Sequence, residues 1–328
     1  MPDFMTHSLF AKDSLKLLQT NRRQQIEKHM PLLNLGAQGP DPFFYFGKAP
    51  FRDTKGYPKL ADKLHTSRTD EFLAAMWRMV KQGGEDAVEL YTYAWGFTGH
   101  YALDTQCHPY VYAQAGYAFN GASKTREMTA NHVILETDID ALIYNRKTGD
   151  DIKKLKLWEL TTDVVPAFLD DFYEEVLGIY DYPGYRPGDF ERAMKDMKLA
   201  QHILYDPYGL QENLNRMLSR IKGRSVYLGK PVYPAIEHLK GLDCMNESHA
   251  DWADPLGVTK VYQDSFLDLY DQALERMAAY LERIDMFLDG ECEADGLFEG
   301  FSNDTHLRWD SEENMKKVAG TGLMHGRL

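Results

Sequence analysis

Apolar residues recur through most of this 328-residue chain at intervals of three and four, the spacing that gathers them on one face of an α-helix. Between 9 and 30, Leu9, Leu15, Leu18 and Ile26 keep near this register, and Pro31 follows as a stop. Residues 70–82 form a second expected helix, with Thr69 or Asp70 as its cap and Gly83-Gly84 as its end. A third runs over 85–107, bounded by Pro109, and a fourth over 123–145, apolar at Val133, Ile134, Ile139 and Leu142. Further helices are expected over 162–180, 188–205, 210–222 and 264–289, separated by turn-rich stretches such as YDYPGYRPGD and LGKPVYP. Short β-like runs exist, such as SVYL at 225–228, but no alternation is long enough to build a sheet. The expected class is all-α. We expect a metal-binding helical core over 1–150 and a helical extension over 151–328 packed on it, with joints at 181–189 and about 223–262. Neither joint is a flexible Gly/Ser linker, so a single domain stays open.

Composition narrows the class. With 44% hydrophobic and 12% aromatic residues the chain can bury a sizeable core, which excludes a disordered or collagen-like protein. Fifty acidic side chains against 37 basic ones leave a formal charge of −13. That balance argues against duplex nucleic acid as a partner and against docking on anionic membranes through a basic patch. Divalent ions held inside would weaken the objection, since they add charge that the side chains do not carry. Three cysteines (Cys107, Cys244 and Cys292) make neither a disulfide framework nor a CxxC pair. The start, MPDFMTHSLFAKDSL, has no basic segment followed by a long apolar run, so no signal peptide and a cytoplasmic location are expected. No apolar stretch approaches the ~20 residues of a membrane span.

Two of the expected helices carry the candidate chemistry. His100, Asp104 and His108 stand at i, i+4 and i+8, within about 80° of one another on one helical face. His132 and Glu136 repeat the i, i+4 spacing on the next helix. Neutral imidazoles and carboxylates converging from rigid elements are what zinc requires. A His and an acid at this spacing are otherwise a surface pair, but the flanks here, YAWGFTGHYALDTQCHPYVYA, are apolar and aromatic. Pro109 is expected to end or kink the first helix near His108, which would turn His108 toward a different ion from His100 and Asp104. Upstream, Asp41 sits in a turn shaped by Gly39 and Pro40, His7 precedes the first helix, and His65 lies ahead of the 70–82 helix. Taken alone, these three also read as a turn-forming acid, a neighbour of a helix cap and a surface histidine.

The order of these motifs resembles the zinc-dependent phospholipase C family, which shares its all-helical fold with the fungal single-strand nucleases. GAQGPDPFFY and GHYALDTQCHPYVYA are similar to its bacterial members over about residues 1–145, and DCMNESHADWADP at 243–255 is similar to its intracellular ones. The resemblance implies a multi-helix bundle around a cluster of two or three zinc ions. It implies Asp41, His65, His100 and Asp104 at one ion, His108, His132 and Glu136 at a second, and His7 with a bridging Asp104 at a third. The secreted members complete the third site with an N-terminal Trp; here MPDFMT precedes His7, leaving only His7 and Asp104. The spacing from Asp104 to the next His is also shorter than in those members.

Hydrolysis of a phosphodiester suits such a cluster, with a metal-activated water attacking phosphorus and Asp41 as either a ligand or the base that orients that water. The expected partner is a phosphodiester, in the first instance a phospholipid or its headgroup. Tyr45, Tyr101, Tyr110 and Tyr112 would then line the cleft and meet a quaternary ammonium group, or else belong to the core. A single-strand nuclease or nucleotidase on the same site is the alternative enzyme, and a non-catalytic zinc-binding helical protein the alternative from another class. Absence of a His-Asp dipeptide and of HExxH sets other helical metallohydrolases aside. His29, His202, His238, His306 and His325 read as surface or core residues and Cys107 as a small core residue. His249 is a candidate for a place near the cleft, and ECEADGLFEG reads as a solvated acidic segment.

Overall fold

The structure, a computed structural model, describes residues 4–48, 53–116, 126–182, 184–222, 232–255 and 260–315. Among them thirteen α-helices follow one another. The first six are α1 (Phe4–Ser14), α2 (Thr20–Ile26), α3 (Met30–Gly36), α4 (Pro42–Tyr45), α5 (Tyr57–Thr66) and α6 (Thr69–Gln82). Then come α7 (Ala87–Gln114), α8 (Arg126–Thr148), α9 (Ala167–Leu177), α10 (Asp189–Leu204), α11 (Leu210–Lys222), α12 (Ile236–Leu239) and α13 (Phe266–Leu288). One antiparallel ribbon joins β1 (Trp252–Ala253) to β2 (Val261–Tyr262), pairing Trp252 with Tyr262. The chain is all-α. The SVYL run, residues 223–231 and 256–259 of the expected second joint, and His325 lie outside the described residues.

Helix α7 is the axis of the fold. From Tyr91 to Tyr112 every residue except Gln106 and Pro109 is buried, as expected of a helix packed on all sides. Helices α1, α2, α3, α6, α8 and α13 all lie against it. Its crossing with α3 is close because two glycines meet there. A Cβ on Gly36 would stand 2.3 Å from the Tyr93 carbonyl oxygen, and one on Gly96 2.4 Å from that of Leu33. This contact brings the turn after α3, which carries Asp41, beside His100, one helical turn beyond Gly96. Apolar residues from Phe4 to Phe298 form one continuous cluster, with Phe10 against Tyr270, Phe43 against Tyr173, and Tyr101 against Tyr280 and Phe298.

Several elements differ from expectation, each for a local reason. The 9–30 pattern divides between α1, α2 and the start of α3. Pro31 opens α3 instead of ending a helix, because a proline in the first turn lacks only an N–H that has no intrahelical partner. Pro58 does the same for α5, which the Gly/Pro-rich flanks concealed. His7 lies within α1, not before it. Helix α7 does not end near His108 but runs through Pro109 to Gln114. Pro109 cannot donate to the Thr105 carbonyl, and His306 Nδ1 donates to that oxygen at 2.6 Å in its place. ECEADGLFEG is only partly solvated: Ala294, Leu297 and Phe298 are buried in the core, and Glu299 accepts from Tyr280 and Arg283.

Candidate metal centre

Four helices and one turn bring the eight candidate ligands together. Helix α1 carries His7, and its start is held by Asp140 of α8, whose two carboxylate oxygens accept from the Met5 and Thr6 N–H groups at 2.8 Å. These are N–H groups that a helix's first turn leaves unpaired, and a carboxylate there also opposes the helix dipole favourably. The His7 ring stacks on His100 at 4.3 Å. Asp41 sits immediately before α4, after a turn in which Gly39 has φ +52°; a Cβ there would stand 2.3 Å from His100 Cδ2. Helix α5 supplies His65, α7 supplies His100, Asp104 and His108, and α8 supplies His132 and Glu136.

Three groups form, each with ligand atoms within 4.8 Å of one another: Asp41, His65 and His100; His7, His100 and Asp104; and His108, His132 and Glu136. His65 Nε2 lies 3.2 Å from Asp41 Oδ1 and 3.4 Å from His100 Nε2. Asp104 presents Oδ1 to His7 Nε2 at 3.2 Å and Oδ2 to His100 Nε2 at 3.1 Å. In the third group Glu136 Oε1 is 2.7 Å from His132 Nε2 and 4.0 Å from His108 Nε2.

Three imidazoles are oriented from behind by main-chain carbonyls. His65 Nδ1 bonds the Ala61 oxygen at 2.8 Å, His100 Nδ1 that of Ala37 at 3.1 Å, and His108 Nδ1 that of Asn303 at 2.9 Å. A carbonyl only accepts, so each Nδ1 carries the proton, and in the neutral ring Nε2 is left as a lone-pair donor. All three Nε2 atoms face the carboxylates.

The electrostatics follow from burial among like groups. Burial opposes ionisation of Asp104, but His100, His108 and His7 outweigh it and hold the carboxyl well below the usual carboxylate range. Burial, with His100 adding to it, lowers His7, and burial also pushes His108 well below an ordinary histidine. For His65 burial is overcome by the Asp41 and Asp104 carboxylates, which raise it to about 9. Burial raises Glu136 to about 7.

This donor set fits zinc. Ligand atoms ~2.1 Å from a tetrahedral ion stand about 3.4 Å apart, and the contacts among Asp41, His65, His100, His7 and Asp104 run from 3.1 to 3.9 Å. His7 Nε2, Asp41 Oδ1 and Asp104 Oδ1 are buried without a hydrogen-bond partner. Among the described residues no lysine or arginine bridges Asp41 or Asp104. Buried Asp104 and half-buried Asp41 are matched, among the described residues, by imidazoles, and a divalent cation would neutralise both carboxylates.

A family model for zinc-dependent phospholipase C matches residues 6–184, more than half of the chain. The chain belongs to the zinc-dependent phospholipase C family. No curated protein and no solved structure matches it significantly. Membership together with the three His/carboxylate groups supports a zinc-dependent, phospholipase-type hydrolase. No helix among the described residues is long and apolar enough to cross a membrane.

Beyond the residues that the family model matches, Asn303 and Asp304 also reach the candidate metal centre. Asn303 bonds His65, Asp104 and His108, while Asp304 Oδ1 lies 3.5 Å from His108 Nδ1. Their segment, GFSNDTH, has no spacing relation to residues 7–136, so no periodicity could have exposed it. Other residues stay outside the centre. Tyr101 and Tyr110 are core and not cleft: the Tyr101 hydroxyl accepts from the Phe301 N–H and that of Tyr110 donates to the Cys244 carbonyl. Tyr112 is buried but borders the centre, its ring 5.1 Å from that of His108 and 4.7 Å from that of His132. Tyr45 remains half-buried beside Asp41. His249 is exposed and bonds the Gln263 carbonyl, away from the groups above. His29 lies near Glu89, His202 stacks on Trp158, and His238 bonds Glu212. Cys107 is buried.

Proposed function

We propose that this protein hydrolyses phosphodiesters, with phospholipids as the substrate class, using zinc held by His7, Asp41, His65, His100, Asp104, His108, His132 and Glu136. The observation that carries this reading is the set of imidazoles anchored through Nδ1–H to carbonyls and turned, Nε2 first, onto buried carboxylates at ligand spacing. In this reading Asp41, His65, His100 and Asp104 would hold one ion, His108, His132 and Glu136 a second, and His7 with Asp104 a third. Zinc would polarise the phosphoryl oxygens, neutralise developing charge and supply hydroxide near neutral pH.

The chain's own groups divide the remaining work. Asp41 is the carboxylate placed to meet water: its side chain is 14% exposed, against 0% for Asp104. It orients the attacking water and takes its proton. Asp41 and Tyr45 also form one wall of a pocket whose other walls include Leu155, Leu157, Trp158, Met197 and Leu204. The apolar share of that lining, which stands beside Lys153, Gln201 and Asp206, favours a phospholipid over a nucleic acid. Residues before 150 thus supply the ligands, and residues between 152 and 233 supply much of this pocket's wall.

Metal analysis of the purified protein tests this, paired with assays on bis(p-nitrophenyl) phosphate, phosphatidylcholine and single-stranded DNA. Two or more zinc ions per chain and hydrolysis of the first two substrates are expected. Asp41→Asn should lower turnover by about 10²-fold or more. Less than one zinc per chain, or no hydrolysis after zinc reconstitution, would sink the enzyme reading; hydrolysis of DNA in preference to lipid would move it to a nuclease.

A further inference from the structure

Every candidate ligand lies before residue 137, yet the stretch 300–306 runs among them. Its central residue, Asn303, is 3% exposed and bonds three of the eight. The main-chain N–H donates to the His65 carbonyl at 2.8 Å. The main-chain carbonyl accepts from His108 Nδ1 at 2.9 Å, and side-chain Nδ2 donates to Asp104 Oδ2 at 3.3 Å. A carboxylate can only accept, so the amide must turn its nitrogen to Asp104. Oδ1 is thereby left buried without a donor of its own.

The position of each bond matters. His65 and Asp104 belong to the groups around His100, whereas His108 belongs to the group with His132 and Glu136. One residue therefore ties the two ends of the centre together. Its grip on Oδ2 holds the Asp104 carboxylate in the rotation that gives Oδ1 to His7 and Oδ2 to His100. The stretch is itself pinned on both sides. Thr69 Oγ1 donates to the Phe301 carbonyl at 2.8 Å, the Phe301 N–H donates to the Tyr101 hydroxyl at 2.8 Å, and His306 donates to Thr105.

We propose that Asn303 is a positioning residue of the metal centre: through its main chain it sets the His108 tautomer and tethers His65, and through its amide it orients Asp104 as a bridge. The inference rests on the zinc reading above. Groups that orient ligands in this way typically change metal affinity by ~10–100-fold when removed. The amide nitrogen bonds a candidate ligand and Oδ1 bonds nothing, so its loss should leave the metal-free fold intact.

The test uses the full chain as wild type and as Asn303→Ala, with zinc affinity from chelator competition and melting temperatures with and without zinc. The variant is expected to bind zinc at least ~10-fold more weakly while its metal-free melting temperature stays within a few degrees of wild type. Wild-type zinc affinity in the variant, with or without a lower metal-free melting temperature, would overturn the proposal. A second measurement does not depend on the variant folding. Long-range 1H–15N spectra of metal-free, 15N-histidine-labelled wild type, assigned with His108→Gln, should show the His108 proton on Nδ1; a proton on Nε2 would overturn the proposal. If wild type binds no zinc, the function above fails, while the tautomer still reports on Asn303.

Discussion

A histidine between two carboxylates and a glutamate in a dry pocket give this centre a pH dependence whose sign can be worked out. In the metal-free chain His65, raised to about 9, keeps its proton at neutral pH, and Glu136, raised to about 7, is partly protonated there. Zinc must expel both protons. Apparent zinc affinity is therefore expected to rise with pH, steeply below about 7, less so up to about 9, and to level off above. Calorimetric titrations in buffers of different ionisation enthalpy should find more protons released at acidic than at alkaline pH. The same groups set stability without metal, and Glu136 loses its contribution as pH rises from 4.5 through about 7. A histidine raised above its ordinary 6.5 contributes fully below that pH, and its contribution is lost as pH rises through about 9. His7 and His108, lowered by burial, act in the opposite sense and cost stability as pH falls below about 6.5. The metal-free melting temperature should accordingly fall toward both ends, and zinc should remove most of the alkaline loss.

At the scale of the element, α7 continues through a proline because another part of the chain supplies the missing donor. Removing the imidazole with His306→Ala leaves the Thr105 carbonyl unsatisfied, at a cost of about 1–3 kcal/mol. Pro109→Ala restores an N–H four residues along the helix. In that background the His306→Ala cost should shrink, with a coupling of about 1 kcal/mol or more. Denaturant unfolding of the four proteins in this cycle checks it, and strictly additive effects would show that His306 does not fill the gap. The sequence showed a helix and a proline inside its reach. It could not show a bond from a residue 201 positions away.

For the whole molecule, the buried carboxylates make zinc a component of folding as well as of chemistry. A ligand present at 100 times its dissociation constant stabilises by about 2.7 kcal/mol, which in a chain of this size raises the melting temperature by roughly 4 °C. Chelation should lower the melting temperature by at least that amount and leave far-ultraviolet circular dichroism unchanged, since the apolar cluster around α7 holds the helices without metal. Collapse of the helical signal on chelation would instead make the ions structural.

The helices and the His/carboxylate pairs within them were legible because both are local properties. A spacing of four residues puts His100 beside Asp104 and His132 beside Glu136 whatever surrounds them. Asp41, His65 and His7 were legible as residue types in suggestive turns, but their meeting place was not. It depends on the glycine-to-glycine crossing of α3 with α7 and on Asp140 holding the start of α1. Asn303, the path of α7 past Pro109 and the protonation of His65 and Glu136 belong to the packed chain alone. Contacts between residues with no spacing relation, and the loss of water around them, arise only when distant segments share one core.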